Sequence, residues 1–346
     1  MSKTAVVLFN LGGPDRPEAV RPFLFNLFND PAIIGVPGPL RWLLAHLISR
    51  RRAPVAREIY AVLGGGSPLL PNTEAQARAL EDSLAGDGET RVFIAMRYWH
   101  PRSDEAAAAV KAFGPERIVL LPLYPQFSTT TTGSSVKDWH RAAAAAGLDV
   151  PTTTVCCYPT EAGFVAEVAE RVRTAVQEAG ANGTPRVLFS AHGLPKTVVA
   201  GGDPYQWQVE QTSAAVVAAL DEPALDWVVC YQSRVGPLEW IGPSTDAEIE
   251  RAGRDGVPVV VVPIAFVSEH SETLVELDVE YGHLAETSGV PAYVRVPTVA
   301  AGAAFIKGLA AVVRSALAGD RSMCTHAGGR LCPAAWRRCL QATEVS

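Results

Sequence analysis

The sequence lacks the short signatures of several common enzyme classes. No GxGxxG follows a predicted strand, and GxxxxGK(S/T), GxSxG and HExxH occur nowhere in the 346 residues. These absences argue against a glycine-rich nucleotide turn, a P-loop, a hydrolase nucleophile elbow and a helical zinc-protease site. Positive charge is also scarce. The formal net charge is -6, and no basic stripe interleaved with aromatic residues is present, so we expect no nucleic-acid partner.

No apolar run is long and continuous enough for a membrane span. The most lipophilic region, residues 32–48, is interrupted by Gly35, Pro37 and Arg41. Two interpretations of it stay open: a surface loop followed by a core-packed helix, or an apolar lip around a pocket. The amino terminus carries one Lys and a short apolar run that stops at Gly-Gly-Pro, unlike a signal peptide. We therefore expect a cytoplasmic protein, with peripheral contact at the inner face of the membrane as an option.

Short apolar segments alternate with Ala-, Glu- and Arg-rich segments of helical character. The apolar segments are TAVVLFN, RVFIAMRY, RIVLLPLY, TTTVCCY, PRVLFSAH, DWVVCYQS and VPVVVVPIAF. Such alternation predicts an α/β fold of two Rossmann-like, doubly wound domains, each built on a parallel sheet. We place the first domain at 1–150, the second at 151–318 and a cysteine-containing tail at 319–346.

Polar residues follow the predicted strands where each one ends. If the sheets are parallel, these residues gather at the carboxyl edge, which is where ligands bind in open α/β sheets. The clearest example is His192, which follows RVLFSA and precedes a Gly-Leu-Pro turn. A structural histidine in a turn is the alternative interpretation. The residues at the strand exits are Asn10, Arg97, Tyr98, His192, Gln232, Ser233, Glu269 and His270.

An acidic ladder occupies the segment after the last strong strand. Glu272, Glu276 and Glu280 recur at four-residue steps, so in a helix they lie nearly one above another. A solvated helix face is the ordinary explanation. Here the ladder starts at a strand exit beside Glu269 and His270, which favours a cleft. Imidazole and carboxylate together suit Fe²⁺ or a base with a neighbouring proton acceptor.

Six cysteines in a cytoplasmic chain indicate buried thiols or metal ligands rather than disulfides. Cys324, Cys332 and Cys339 lie in the short tail. Ligation of a [2Fe-2S] cluster is one interpretation, zinc binding with His326 is another, and unligated thiols are the third.

Long motifs in register across nearly the whole chain resemble the ferrochelatase family. They are LFNLGGPD, YAVLGGGSP, MRYWHP, LPLYPQFSTTTTGSS, LFSAHGLP, YQSRVGPLEWIGPSTD and PIAFVSEHSETLVELDVEY. The resemblance implies two Rossmann-like domains with a porphyrin cleft between them, and insertion of Fe²⁺ into the porphyrin with release of two pyrrole protons. It also implies that the acidic helix has a π-type widening. A chelatase for another tetrapyrrole and a non-catalytic porphyrin carrier stay open as alternatives.

The resemblance also implies roles for individual residues. His192 matches the catalytic histidine and Glu272 the acid opposite it, and either one is a candidate to meet the Fe²⁺ first. Glu269, His270, Glu276 and Glu280 match an acidic path for protons or metal. The implied porphyrin contacts are Leu11, Arg52, Tyr60, Ser67, Arg97, Tyr98, Gln232, Ser233 and Trp240, with Phe23, Leu24 and Phe28 in the apolar slot.

Three positions refine what the resemblance implies. Val55 replaces a Lys that some relatives offer to a propionate. Leu11 favours protoporphyrin IX, because relatives that use coproporphyrin III carry Tyr there. Thr129 stands at the internal cluster ligand of some relatives and cannot serve. We therefore expect Cys157 to complete the [2Fe-2S] ligand set with the three tail cysteines, with Cys156 and Cys230 as alternatives.

Overall fold

The computed structural model describes residues 3–234, 236 and 238–343. Val235 and Pro237 of the YQSRVGPLEWIGPSTD motif, and residues 344–346 of the predicted tail, lie outside the described part. The chain divides into two compact units. The first contains residues 3–157 and 309–331, and the second contains residues 158–308 and 332–342.

The first unit is built on a parallel sheet of five strands in the order β2-β1-β3-β4-β9. Strand Lys3–Asn10 lies inside this sheet and is almost fully buried, as a strand covered by helices on both faces must be. The strands are β1 (Lys3–Asn10), β2 (Glu89–Met96), β3 (Arg117–Pro122), β4 (Thr152–Val155) and β9 (Met323–Cys324). Its helices are α1 (Val20–Phe28), α2 (Gly38–Val62), α3 (Leu69–Ser83), α4 (Ser103–Phe113) and α5 (Thr132–Ala146), and α11 (Ala303–Ala318) ends in this unit.

The second unit has a four-stranded parallel sheet in the order β6-β5-β7-β8. Every residue of its strand VVVVP is buried, which confirms the expectation of a strand covered on both faces. The strands are β5 (Arg186–His192), β6 (Asp226–Gln232), β7 (Val259–Pro263) and β8 (Tyr293–Arg295). The helices are α6 (Ala162–Ala179), α7 (Lys196–Ala200), α8 (Tyr205–Leu220), α9 (Thr245–Asp255), a π-helix (Glu272–Glu280) and α10 (Tyr281–Thr287).

The predicted α/β class with two parallel sheets is confirmed. The unit boundaries differ from the predicted ranges for a reason visible in the first sheet. Strand β4 pairs with β3, so residues 152–155 stay with the first unit. Strand β9 pairs with β4 in turn, which brings residues 323–324 of the tail back to that sheet. The tail therefore contributes a strand to the first sheet instead of forming a separate segment.

Candidate active site

His192 and Glu272 meet in the second unit at the ends of two elements. His192 is the last residue of β5, and Glu272 is the first residue of the π-helix. The His192 Nδ1 atom lies 3.1 Å from Glu272 Oε2, and the two side chains are 39% and 28% exposed. On the other side of the carboxylate, His270 Nε2 lies 3.6 Å from the same oxygen. Glu272 is thus a carboxylate held between two imidazoles.

This arrangement shifts the pKa values of His192 and Glu272 in opposite directions. Burial works against a charged imidazole, but the Glu272 carboxylate outweighs it and raises the pKa of His192. Burial works against a charged carboxylate, but His192 and then His270 outweigh it and lower the pKa of Glu272. His192 is therefore a stronger base than an ordinary histidine, and Glu272 stays ionised beside it.

The acidic ladder lies on the π-helix, and the widening implied by the family resemblance is confirmed. Glu272 and Glu276 are half-buried, whereas Glu280 is exposed. Burial and the neighbouring Glu272 charge raise the pKa of Glu276, and hydrogen bonds from Ser233 and Gln232 oppose that rise. The raised pKa makes Glu276 easier to protonate than an ordinary glutamate, as is typical of a group that exchanges protons.

Glu269 is held by an ion-pair network of its own. Its Oε1 atom accepts hydrogen bonds from Arg295 Nη1 at 2.7 Å and from the Thr298 amide at 2.8 Å. Arg295 also pairs with Asp278 at 2.7 Å. Burial raises the pKa of Glu269, but bonds from Thr273, Arg295 and Thr298 lower it by more. These contacts make Glu269 a fixed negative charge.

Gln232, Ser233 and Trp240 lie in the second unit, in segments bonded to the turn after His192 or to the π-helix. Gln232 and Ser233 direct their hydrogen bonds at Glu276, with Gln232 Nε2 at 3.0 Å and the Ser233 amide at 2.8 Å. Trp240 pairs through its backbone with Pro195, in the turn that follows His192. A methyl group added at Gly193 would lie 3.3 Å from the Trp240 ring, so glycine allows this close approach.

Arg97 and Tyr98 lie in the first unit and are bound to a buried acid. Asp30 Oδ2 accepts a 2.8 Å hydrogen bond from the Tyr98 hydroxyl and lies 2.8 Å from Arg97 Nη2. Ser134 also donates to this oxygen and receives a 2.7 Å bond from Arg97 Nε. Burial, followed by the Asp30 charge, raises the pKa of Tyr98 well above its usual range. The Asp30 side chain is only 2% exposed, so this is an interior network.

The other residues expected to contact porphyrin in the first unit cluster around α1 and α2. Tyr60 and Tyr98 share one hydrophobic cluster with Phe23 and Leu24, against which Leu11 and Phe28 pack. Arg52 lies 6.0 Å above the Phe28 ring and is otherwise exposed. Ser67 donates its amide to Pro14 at 2.7 Å, and a methyl group at Gly13 would lie 2.5 Å from its hydroxyl. The structure thus brings Leu11, Tyr60 and Tyr98 into one hydrophobic cluster, while the role of all these residues toward porphyrin stays a prediction.

All six cysteines are buried. Cys157 follows β4, and its carbonyl accepts a hydrogen bond from the His326 amide, while the Cys156 amide donates to the Cys324 carbonyl. Cys332 Sγ receives a 3.0 Å hydrogen bond from Gln208 Nε2. Burial raises the pKa of the Cys230 thiol to about 12, which makes it a poor thiolate ligand. Among the described residues, no group of three or more His, Cys, Asp or Glu side chains forms a metal site.

Several residues that support the site escaped the sequence analysis. Ser190, inside β5, donates to Gln232 Oε1 at 2.8 Å and lies 2.8 Å from Thr245 Oγ1. Arg295 anchors Glu269, and Asp30 anchors Arg97 and Tyr98. A polar residue in the apolar run VLFSA was a usable signal for Ser190. Nothing local marks Asp30 or Arg295, because their partners are distant in sequence.

Two solved structures share this fold. SirB from Bacillus subtilis with Fe³⁺ superposes with a TM-score of 0.53 at 12% identity, covering 91% of this chain and 96% of that one. The sirohydrochlorin chelatase SirB from Bacillus subtilis subspecies spizizenii in complex with cobalt gives 0.52 at 11%, covering 91% and 95%. At these identities the likeness concerns the fold alone. The chain has the α/β fold of the chelatases.

Sequence comparison identifies the family within the chelatase fold to which the chain belongs. The ferrochelatase family profile matches residues 3–317. Ferrochelatase from Caulobacter vibrioides (strain NA1000 / CB15N) is 57% identical over 340 residues, 97% of each protein. Ferrochelatase from Phenylobacterium zucineum is 59% identical over 340 residues, also 97% of each, and that from Rickettsia bellii (strain OSU 85-389) is 46% identical over 344 residues, covering 98% of this chain and 95% of that protein. The chain belongs to the ferrochelatase family.

Proposed function

We propose that this enzyme inserts Fe²⁺ into protoporphyrin IX, with His192 as the base that removes the pyrrole protons. Iron insertion into a porphyrin for haem synthesis follows from its family. The observation that carries the assignment of the base is the 3.1 Å contact between His192 Nδ1 and Glu272, together with the raised pKa of His192. A carrier would have no need of a strengthened base, so this pair favours a catalyst.

The hydrogen bond fixes which nitrogen of His192 reacts. A carboxylate only accepts hydrogen bonds, so Nδ1 carries the proton and Nε2 keeps its lone pair. Nε2 therefore takes a pyrrole proton, and Glu272 stabilises the imidazolium that results. Two protons leave for each Fe²⁺ that enters, so the product is neutral at the four nitrogens. Glu276, whose pKa is raised, is the proposed next acceptor.

The choice of protoporphyrin IX rests on Leu11. This residue is partly buried against the hydrophobic cluster of α1 and α2, so its surroundings favour an apolar porphyrin edge. Coproporphyrin III carries additional propionates, which would be desolvated at an apolar contact. We expect a higher kcat/KM for protoporphyrin IX.

Anaerobic assays of the purified protein test both the insertion of Fe²⁺ and the preference for protoporphyrin IX. Haem formation from Fe²⁺ is followed with protoporphyrin IX and with coproporphyrin III in parallel. Faster insertion into protoporphyrin IX supports the proposal. Preference for coproporphyrin III overturns the substrate assignment, and tight porphyrin binding without insertion points to the carrier.

We propose further that Cys157, Cys324, Cys332 and Cys339 bind a [2Fe-2S] cluster. Their side chains are buried, and thiolates are the ligands such clusters require. Among the described residues the four are not already gathered as a metal site, so cluster binding must bring them together. The Gln208 amide donates to Cys332 sulfur, so a polar donor already contacts this ligand atom. When bound, the cluster supplies cross-links among its ligands and has no assigned step in iron insertion.

Iron and acid-labile sulfide analysis with visible absorption tests the cluster. We expect two irons per chain in the native protein and loss of the absorption in Cys332→Ser. Cys230→Ser is the matched control, because Cys230 is equally buried but bonded to Thr245. Equal absorption in Cys332→Ser, or zinc in place of iron, contradicts the assignment.

We also propose peripheral membrane contact through the start of α2. Leu40, Trp42, Leu43 and Leu47 are 49%, 53%, 50% and 58% exposed, so the apolar-lip interpretation of residues 32–48 is favoured over a core-packed helix. Among the described residues, no helix is long and apolar enough to cross a bilayer. Flotation with anionic phospholipid vesicles should be lost in Trp42→Ser/Leu43→Ser and kept in Val62→Ser, a 63% exposed control on the same helix. Equal flotation of all three proteins contradicts this contact.

A further inference from the structure

Gln232 forms hydrogen bonds to the segments that carry His192, Glu272 and Glu276 within the second unit. It ends β6 beside His192, its register partner on β5, and is 1% exposed. Its carbonyl accepts a 2.9 Å hydrogen bond from the Gly193 amide, next to His192. Its side-chain Nε2 donates to the Glu272 carbonyl at 3.2 Å and to Glu276 Oε2 at 3.0 Å.

Chemistry fixes the orientation of this amide. A backbone carbonyl and a carboxylate only accept hydrogen bonds, so the end of Gln232 that faces the π-helix must be the NH₂ group with its two donors. The opposite end, Oε1, accepts from Ser190 Oγ at 2.8 Å. Ser190 lies 2.8 Å from Thr245 Oγ1, and both residues are fully buried. A buried chain of hydroxyls thus holds the amide in one orientation.

Ser233, the residue after Gln232, also donates hydrogen bonds to the Glu276 carboxylate. Ser233 adopts φ 60°, a left-handed conformation uncommon for residues other than glycine. In this conformation its amide donates to Glu276 Oε1 at 2.8 Å, and its hydroxyl donates to Oε2. The end of β6 and the residue after it therefore direct their hydrogen bonds at the π-helix.

We propose that Gln232 is a positioning residue that holds Glu272 opposite His192 and stabilises the π-helical form of residues 272–280. The role of the pair rests on the proposed function, whereas the effect on the helix does not. A π-helix is rare because its i→i+5 pattern is poorly packed, so a side chain bonded to its first carbonyl stabilises it where the site needs it. In this proposal Gln232 acts through Glu272 and Glu276, in place of the direct porphyrin contact that the family resemblance implies.

Gln232→Leu tests the proposal, because leucine keeps the side chain buried but has no amide donors. Steady-state kinetics of Fe²⁺ insertion are combined with hydrogen–deuterium exchange of amides 273–281. We expect kcat to fall about 10- to 100-fold, porphyrin KM to stay within about twofold because binding is unaffected, and exchange in the π-helix to become faster. Gln206→Leu, which removes an exposed amide bonded to Glu210, is the control and should change neither.

The two readouts separate failure of the inference from failure of the proposed function. Unchanged kcat and unchanged exchange overturn the inference, and so does a raised porphyrin KM with unchanged kcat, which would make Gln232 a porphyrin contact. If the native protein inserts no iron, the proposed function fails and the exchange rates alone decide. If Gln232→Leu does not fold, Ser190→Ala releases the amide from its other end and should change both readouts in the same directions; no change in either overturns the inference.

Discussion

Replacing Asp30 by Asn tests how the first unit holds Arg97 and Tyr98. The carboxylate accepts hydrogen bonds from Tyr98 and Ser134 and pairs with Arg97, all in the interior. The substitution keeps the size of the side chain but removes its charge. Arg97 is then left 15% exposed with Asp138 at 3.8 Å as its remaining ion-pair partner among the described residues.

The expected loss is large because the pair is buried. Removing one partner of a buried ion pair costs about 3–5 kcal/mol, whereas an exposed pair contributes about 0–1 kcal/mol. For a unit of this size, each kcal/mol lowers Tm by about 2–4 °C, so Asp30→Asn should lower it by about 6–20 °C. The control is Asp104→Asn, which breaks a pair with Arg141 at 2.8 Å whose side chains are 53% and 52% exposed.

Differential scanning calorimetry of the native protein and both variants gives the comparison. The account predicts a small shift for Asp104→Asn and a several-fold larger one for Asp30→Asn. Equal shifts in the two variants would refute the reasoning, because they would show that the buried carboxylate is no more important to stability than an exposed one.

Three further predictions concern the site. Glu272→Gln should lower kcat by about 10²-fold or more, and because Glu272 raises the pKa of His192, the acidic limb of the pH–rate profile should move to lower pH; an unmoved limb contradicts the pairing. Glu269 has a lowered pKa when folded, so its contribution to stability is present above its unfolded pKa of about 4.3 and is lost as pH falls below that value. Urea titrations should therefore show Glu269→Gln, which weakens the bond to Arg295, less stable than the native protein at pH 7 and closer to it at pH 3, and a constant difference contradicts this. Leu11→Tyr should raise kcat/KM for coproporphyrin III relative to protoporphyrin IX, and an unchanged ratio removes Leu11 as a selectivity residue.

Much of the fold was predictable because the strands are short, apolar and β-branched. Each of the seven segments interpreted as strands overlaps one of β1 to β7. Strands β8 and β9, which are three and two residues long, lie outside these segments. So short a strand leaves no periodic pattern, and the pairing of β9 with β4 is decided by tertiary contacts far along the chain.

The site was predictable to the extent that its residues lie at strand ends. His192 and Glu272 come together because His192 ends β5 and Glu272 lies beyond the end of β7, and these two strands pair in parallel. The direction of each pKa shift was harder to predict. Like-charge repulsion along an acidic ladder raises the pKa values of its members, and Glu276 has a raised pKa, but two imidazoles lower the pKa of Glu272. His192, 80 residues away, reaches that carboxylate only through tertiary structure, whereas His270 lies two residues before Glu272 and reaches it through the local backbone conformation.

Single-turnover iron insertion tests the central claim most directly. The protein is loaded with protoporphyrin IX and mixed anaerobically with Fe²⁺, and haem absorption is followed in the native protein, His192→Ala and His283→Ala. The control residue is a 75% exposed histidine that also lies near a glutamate, Glu286 at 3.9 Å. The account predicts native rates for His283→Ala and a loss of at least about 10²-fold for His192→Ala with porphyrin binding retained. Native insertion rates in His192→Ala would contradict it.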